Sequence, residues 1–320
     1  FGAGTHSFLT GATFSGEMLL TAATLDFGAG DFAIDALVQT GGTVTGDGTL
    51  TMADLFDWQA GTHRGSGTTR SEGAMLISGT SSKSIFDTRS VVNTTGATAE
   101  WRDASDTTFV GNGISMSTGA RFVNEAGASF NVTRTSVTGG DHFRQMSGGA
   151  FDNAGTFNVN IGAGDTLRIS SLSNNSGTVN VDQGLLQFNG GGTHTGAFNN
   201  SLTDSTLEFG AGTHSFLTGA TFSGEMLLTA ATLEFVSGDF TLDALTQIGG
   251  TLTGDGTVTM TDLFEWRSGT HRGSGTTRAE GGMLITGTNS KSIFDTRAVI
   301  NDVGSIAAVS YTHLRAHETS

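Results

Sequence analysis

The stretch FDNAGTFNVN, residues 151–160, decides the fold. It sets an aromatic residue, a polar residue and Asn153 before Ala154 and Gly155, then alternates apolar and polar from Phe157 to Val159. Alternation with period two is the mark of a strand with one buried face, and Asn-Gly-rich boundaries are the mark of turns. The same phrase returns. Apolar-x-Asn recurs at Val91-Val92-Asn93, Phe122-Val123-Asn124, Phe151-Asp152-Asn153, Leu172-Ser173-Asn174 and Phe198-Asn199-Asn200, in steps of 31, 29, 21 and 26 residues. The phrase TLEF occurs at 206–209 and again 26 residues later at 232–235.

A larger period encloses the smaller one. Residues 1–93 return as 209–301, with 74 of 93 positions identical. The differences are conservative, as in Asp26 against Glu234 and Ile34 against Leu242. The shift of 208 residues equals eight steps of 26. Periods of 20–50 residues belong to solenoids, propellers or arrays. A four-stranded propeller blade needs about 40 residues. About 26 residues instead fit three short strands and three turns, one coil of a parallel β-helix. An isolated coil buries about five apolar side chains at ~1.5–3 kcal/mol each, against ~1–2 kcal/mol per residue for ordering its backbone. Coils therefore have to stack. Stacking predicts that Phe151 points inward and that Asn153 sits at a turn, against Asn124 and Asn174. The one helix-like run, GEMLLTAATL at 16–25, lies between strand-like phrases.

Composition agrees. The chain has 320 residues with 49 Gly, no Pro and no Cys, and 14% charged residues. Proline removes a ladder donor, so its absence suits continuous sheet. Net charge is −15, with Lys83 and Lys291 the only lysines. No basic stripe offers itself to nucleic acid. No apolar run approaches the ~20 residues that span a bilayer. Without cysteine there is no disulfide and no thiol chemistry.

These residues resemble a family. FDNAGTFNVN (151–160), LSNNSGTVNVDQGLLQFNGGGTHTGAF (172–198) and GGTVTGDGTLTMADLFDWQAGTHRGSGTTR (41–70) are similar to strand repeats of bacterial β-solenoid surface proteins, the passenger regions of autotransporters and filamentous-haemagglutinin-like adhesins. The resemblance covers 1–308. It implies an all-β, right-handed parallel β-helix, export, and display at the bacterial cell surface, with a host-surface or matrix glycan or protein as partner. It supplies no shared catalytic residues. Val309 to Thr319 reads instead as a translated transposase-type sequencing adapter, so 309–320 is expected to lie outside a single solenoid, 1–308, that is truncated at both ends.

Four candidate chemistries can be weighed. DLFDWQAGTHRGSGTTRSE (54–72) and its twin at 262–280 gather Trp58 or Trp266 with an acid, a histidine and arginines. A glycan patch would use Trp58 as a platform, with Asp57, His63 and Arg64 bonding hydroxyls. Strand alternation instead sends Phe56 and Trp58 to one face, the core, and Asp57 and Gln59 to the other. His6, His63, His194, His214 and His271 recur in similar phrases and read as turn positions, too far apart in equivalent copies to share a metal. The Gly-Asp phrases at 27–35, 45–49 and 161–169 lack the tandem spacing of calcium repeats. Thr43-x-Thr45, Thr49-x-Thr51, Thr251-x-Thr253 and Thr257-x-Thr259 suit an ice-binding face only if every coil carries one. No paired carboxylates or basic cluster suggests polysaccharide cleavage. The expectation is a non-catalytic stalk or adhesin segment without metal or cofactor. A polysaccharide-binding or -cleaving helix comes second and an ice-binding solenoid third.

Overall fold

The computed structural model describes residues 1–102, 113–134, 143–200, 204–302, 304 and 306–309. Among them there is no helix. Short strands pair in parallel with strands one turn earlier and one turn later, and the chain forms a three-faced β-solenoid. The 16–25 run is two strands, Glu17–Leu20 and Thr24–Asp26, split by a turn.

Each turn visits three faces in a fixed order. Thr24–Asp26 lies on the first face. Residues 31–34 form the second and 36–39 the third, as one strand, Asp31–Gln39, bent by a register shift between Ile34 and Ala36. Thr43–Thr45 then returns to the first face, where Thr5, Thr24, Thr43 and Thr62 stand in register, nineteen residues apart. The step widens where Ile85 meets Met116 and Ile114 meets Met146, and is nineteen again at Ile169 and Phe188. The mean is about 21 residues per turn, not 26. The Asn phrases overstate the period because they cluster where connections are longest.

The same arithmetic corrects the relation between the copies. Nine parallel steps carry the first face from Thr5–Ser7 to Ser205–Phe209, through Thr24, Thr43, Thr62, Ser84, Ser115, Ser147 and Ser170, then Phe188. The twin of the first strand is the next one, Thr213–Phe216, and it pairs with Gly192–His194 on the second face. The copies are therefore nine turns and one face apart, not eight whole turns. Val309 closes a strand, Ile306–Val309, in register with Ile285. Residues 310–320 lie outside the described residues.

Alternation fills the interior. On the third face Leu37, Phe56, Met75, Ala99, Phe130, Phe157, Val179, Phe198 and Phe222 follow one another through the core. Phe130 stacks on Phe157 at 5.2 Å, a favourable offset geometry. Turns are kept tight by glycine. Gly46 sits at φ 116°, and a Cβ there would lie 2.6 Å from the Phe27 carbonyl carbon. Its twin Gly254, at φ 107°, faces the Phe235 carbonyl in the same way.

On the second face the phrase of the opening stretch becomes a buried amide ladder. Asn93 Nδ2 donates to Asn124 Oδ1, Asn124 to Asn153 and Asn153 to Asn175, each at 2.8 Å. The second proton of each goes to a backbone carbonyl, Ser129, Thr156 and Thr178 in turn. Phe151 is inward as expected, and Asn153 meets Asn124. Asn175, not Asn174, is the next rung, because Ser173 takes the inward slot opposite Phe151 and leaves Leu172 46% exposed. Asn200 belongs to the third face, in register with Val181. Replacing Asn153 by Ala would leave one of the two Asn124 Nδ2 protons and the Asn175 Oδ1 without this partner, each a buried group worth ~1–3 kcal/mol. Chemical denaturation should show Asn153→Ala about 3 kcal/mol less stable than the parent, whereas Asn158→Ala, in a half-exposed ladder, should cost less than about 1 kcal/mol.

Candidate functional site

The 54–72 segment divides between inside and outside. Phe56 and Trp58 are fully buried and stacked at 5.8 Å. Trp266 is 4% exposed. Asp57 points outward and accepts from Gln59 Nε2 at 2.8 Å and Ser78 Oγ at 3.4 Å. Arg64 is outward too, paired with Asp87 at 3.3 Å. Asp87, at φ 62°, also accepts the Gly65 N–H, and that bond first, with Arg64 second, holds its carboxyl below the usual range. Asp295 repeats this with Gly273 and Arg272. Trp58 and His63 therefore offer no surface platform beside Asp57 and Arg64.

His63, His194, His214 and His271 are inward strand positions, fully buried, rather than turn positions. His6 alone among the five stands near the surface, on the Ala3 carbonyl. His63 occupies the column of Leu25, Val44 and Ile85, where a residue without partners would be costly. Its partners come from three turns. Arg89 Nε and an Nη2 proton both reach Thr69 Oγ1, at 3.1 and 3.0 Å. Thr69 Oγ1 thereby spends its acceptor capacity and donates to His63 Nδ1 at 2.9 Å. His63 Nε2–H then donates to Gln39 Oε1 at 2.7 Å, and Gln39 Nε2 to the Gly42 carbonyl at 3.4 Å. The remaining Arg89 protons staple the carbonyls of Gly46, Arg64 and Thr68. Arg297, Thr277, His271 and Gln247 repeat the relay in the second copy.

This relay was missed in the sequence because its members sit on different turns. A signal was present: Gln39, His63, Thr69 and Arg89 are all unchanged in the second copy, while their neighbours Val38 and Thr40 became Thr246 and Ile248. Burial lowers the His63 pKa well below its ordinary value, with Arg89 adding to it. His271 falls to about 3 by the same causes, burial and then Arg297. Burial also brings Arg89 and Arg297 down to about 10.

His194 and His214 stand side by side on neighbouring turns of the second face. Their rings stack at 5.3 Å. His214 Nε2–H donates to the Ala211 carbonyl at 3.1 Å, which leaves Nδ1 to accept from His194 Nε2–H, also at 3.1 Å. His194 Nδ1 is buried without a partner. Burial places these pKa values at about 3 and about 4. Lys83 is buried as well, donating to the Ser81 carbonyl at 3.0 Å, with its pKa lowered to about 8.

The remaining candidates separate. Among the described residues no three histidine or acidic side chains converge as a metal site would require. Asp165 is buried against Arg134 at 3.3 Å, and Asp47 accepts from Ser66 at 2.7 Å. The rung Thr43-x-Thr45 is flanked by Thr24-x-Asp26 and Thr62-x-Arg64, so the two-column threonine array does not continue. Two shallow hollows open on the second face, one bordered by Arg121, Ala150 and Leu172, the other by Asp152, Asn174 and Thr193. Asp152 accepts from both Arg121 and Asn174.

Four buried neutral histidines make stability depend on pH. Their folded pKa values are depressed, so the unfolded chain binds more protons below about 6.5 and stability rises with pH across that window. Each contributes a slope of up to ~1.4 kcal/mol per pH unit. Urea unfolding should show stability falling from pH 6.5 towards 4, and His194→Leu with His214→Leu should flatten the curve; an unchanged slope would remove the pair from the account. Trp58→Ala should cost ~3–5 kcal/mol in the same assay, as a core cavity does.

Compared with known proteins, the chain matches no family model, no curated sequence and no solved structure.

Proposed function

We propose that this chain is a non-catalytic rod segment of a bacterial surface adhesin, serving as a stalk that carries binding surfaces away from the cell. The observation that carries the reading is where the chemically versatile side chains go. Trp58, Trp266, His63, His194, His214, His271, Arg89 and Lys83 are all turned into the core, where the histidines and Arg89 join turn to turn. Among the described residues the outside carries hydroxyls, amides and local ion pairs, with scattered apolar side chains such as Leu9, Leu19 and Leu172 between them. Display at the cell surface and a host or matrix partner follow from this reading and from the resemblance of the repeats.

The duplication fits a rod that gains by length. Strand spacing of ~4.8 Å places the second copy ~45 Å along the axis, on the neighbouring face. Equivalent surface groups, such as the Arg64–Asp87 and Arg272–Asp295 corners, are thus offered in two directions.

Beads coated with the purified chain test this. They should be retained on matrix protein or glycan surfaces, and the chain should release no reducing ends from a panel of polysaccharides. Release of product at a rate above a heat-denatured control would overturn the reading, as would retention no better than that of uncoated beads.

A further inference from the structure

The third face carries an array that the sequence conceals. Five rungs stand in register: Ser129-Phe130-Asn131, Thr156-Phe157-Asn158, Thr178-Val179-Asn180, Ala197-Phe198-Asn199 and Thr221-Phe222-Ser223. The middle residue of each is buried, and the outer two are half-buried or exposed. Two columns result, one of hydroxyls interrupted at Ala197, one of amides ending in Ser223. Variable steps between rungs, of 27, 22, 19 and 24 residues, hide the regularity in the linear sequence.

The amides orient one another. Asn158 Nδ2 donates to Asn131 Oδ1 and Asn180 to Asn158, both at 2.8 Å, Asn199 to Asn180 at 2.9 Å, and Ser223 Oγ to Asn199 at 3.1 Å. Each of these amides has two N–H donors and an oxygen with two lone pairs. The ladder uses one of each at Asn158, Asn180 and Asn199, and the oxygen alone at Asn131. Unlike the inward ladder, where the second proton meets a backbone carbonyl, this one leaves it on the solvent side. The amide planes are fixed before any partner arrives, which lowers the ordering cost of binding.

Charge narrows the partner. The chain carries −15, yet none of the ten outer positions is ionisable. The array is bounded above by Glu100, which accepts from Thr133 and pairs with Arg102 at 3.6 Å. The ten positions themselves offer a cationic or anionic polymer no counter-charge, and the nearest carboxylate on these strands is the exposed Asp182, one outward place beyond Asn180. A neutral polymer of hydroxyl groups finds a donor and an acceptor on each amide rung, and a hydroxyl on most, every ~4.8 Å. That spacing is close to the length of one sugar in an extended, β-linked glycan, so successive sugars would meet equivalent groups.

We propose that the third face between Ser129 and Ser223 binds a neutral, linear, β-linked polysaccharide lying along the rod axis, one sugar per rung. This deepens the adhesin reading and rests on it.

Sedimentation of the full chain with microcrystalline cellulose, chitin and insoluble xylan tests it. The parent should sediment with at least one of the three, and Asn158→Ala with Asn180→Ala should weaken that binding at least tenfold. Thr43→Ala with Thr62→Ala, on the first face, should leave it unchanged. If circular dichroism shows the asparagine variant unfolded, Thr156→Val with Thr178→Val, which keeps shape and removes two hydroxyls, should give a loss of at least tenfold. Failure of the parent to sediment with any of the three overturns the proposal, as does a folded third-face variant that binds like the parent. Inhibition of ice growth without polysaccharide binding would also overturn it, by assigning the array to ordered water. Bead retention on matrix protein with no polysaccharide binding would leave the adhesin reading standing and remove this one.

Discussion

Parallel backbone pairing along the axis is the constraint on which the rest depends. Because each strand bonds to the strands one turn before and after, a side chain's neighbours are set by register rather than by sequence distance. Thr5, Thr24, Thr43 and Thr62 become a column, and so do the asparagines of the second face. Like then stacks on like: phenyl on phenyl inside, amide on amide both inside and out. The inward amides of Asn124 and Asn153 are held on both sides by their ladder neighbours and by a nearby carbonyl, as a polar group in a core requires, whereas Asn93 Oδ1 at the head of the ladder is buried without a partner.

Register also explains what could be read in advance. The parallel solenoid was legible because alternation and Gly-Asn turns are local signals, visible around Phe151–Asn160. The inward course of Phe56 and Trp58 followed from the same alternation. The turn length was not legible, since the Asn phrases sample only the long central turns. The slip at Ser173, which exposes Leu172 and makes Asn175 the rung, depends on a bulge between Ser147 and Ala150 that no local pattern announces. The histidines were misplaced for a related reason. A GTH phrase looks like a turn, yet its threonine faces out and its histidine enters the core, because Gly61 ends the corner and the strand begins there.

The polar interior has a common logic. Arg89 and Arg297 reach back across turns to Gly46 and Gly254 at 2.9 and 3.0 Å, binding three successive turns through one side chain. The direction of the relay is forced, because an arginine can only donate and Thr69 has a single proton to pass on. Each histidine is therefore held neutral in one tautomer. Three indole N–H groups, of Trp58, Trp101 and Trp266, remain buried without partners, so these rings contribute by volume and stacking at some polar cost.

The offset of nine turns and one face gives the internal repeat a handed geometry. Relating one copy to the other takes a screw operation, an advance combined with a rotation, rather than a slide. A third unit inserted by the same 208-residue step would occupy the remaining side, and a fourth would come back into line with the first. Growth of such a filament by unequal recombination would wind its outward groups around the shaft, and any three consecutive units would face every side.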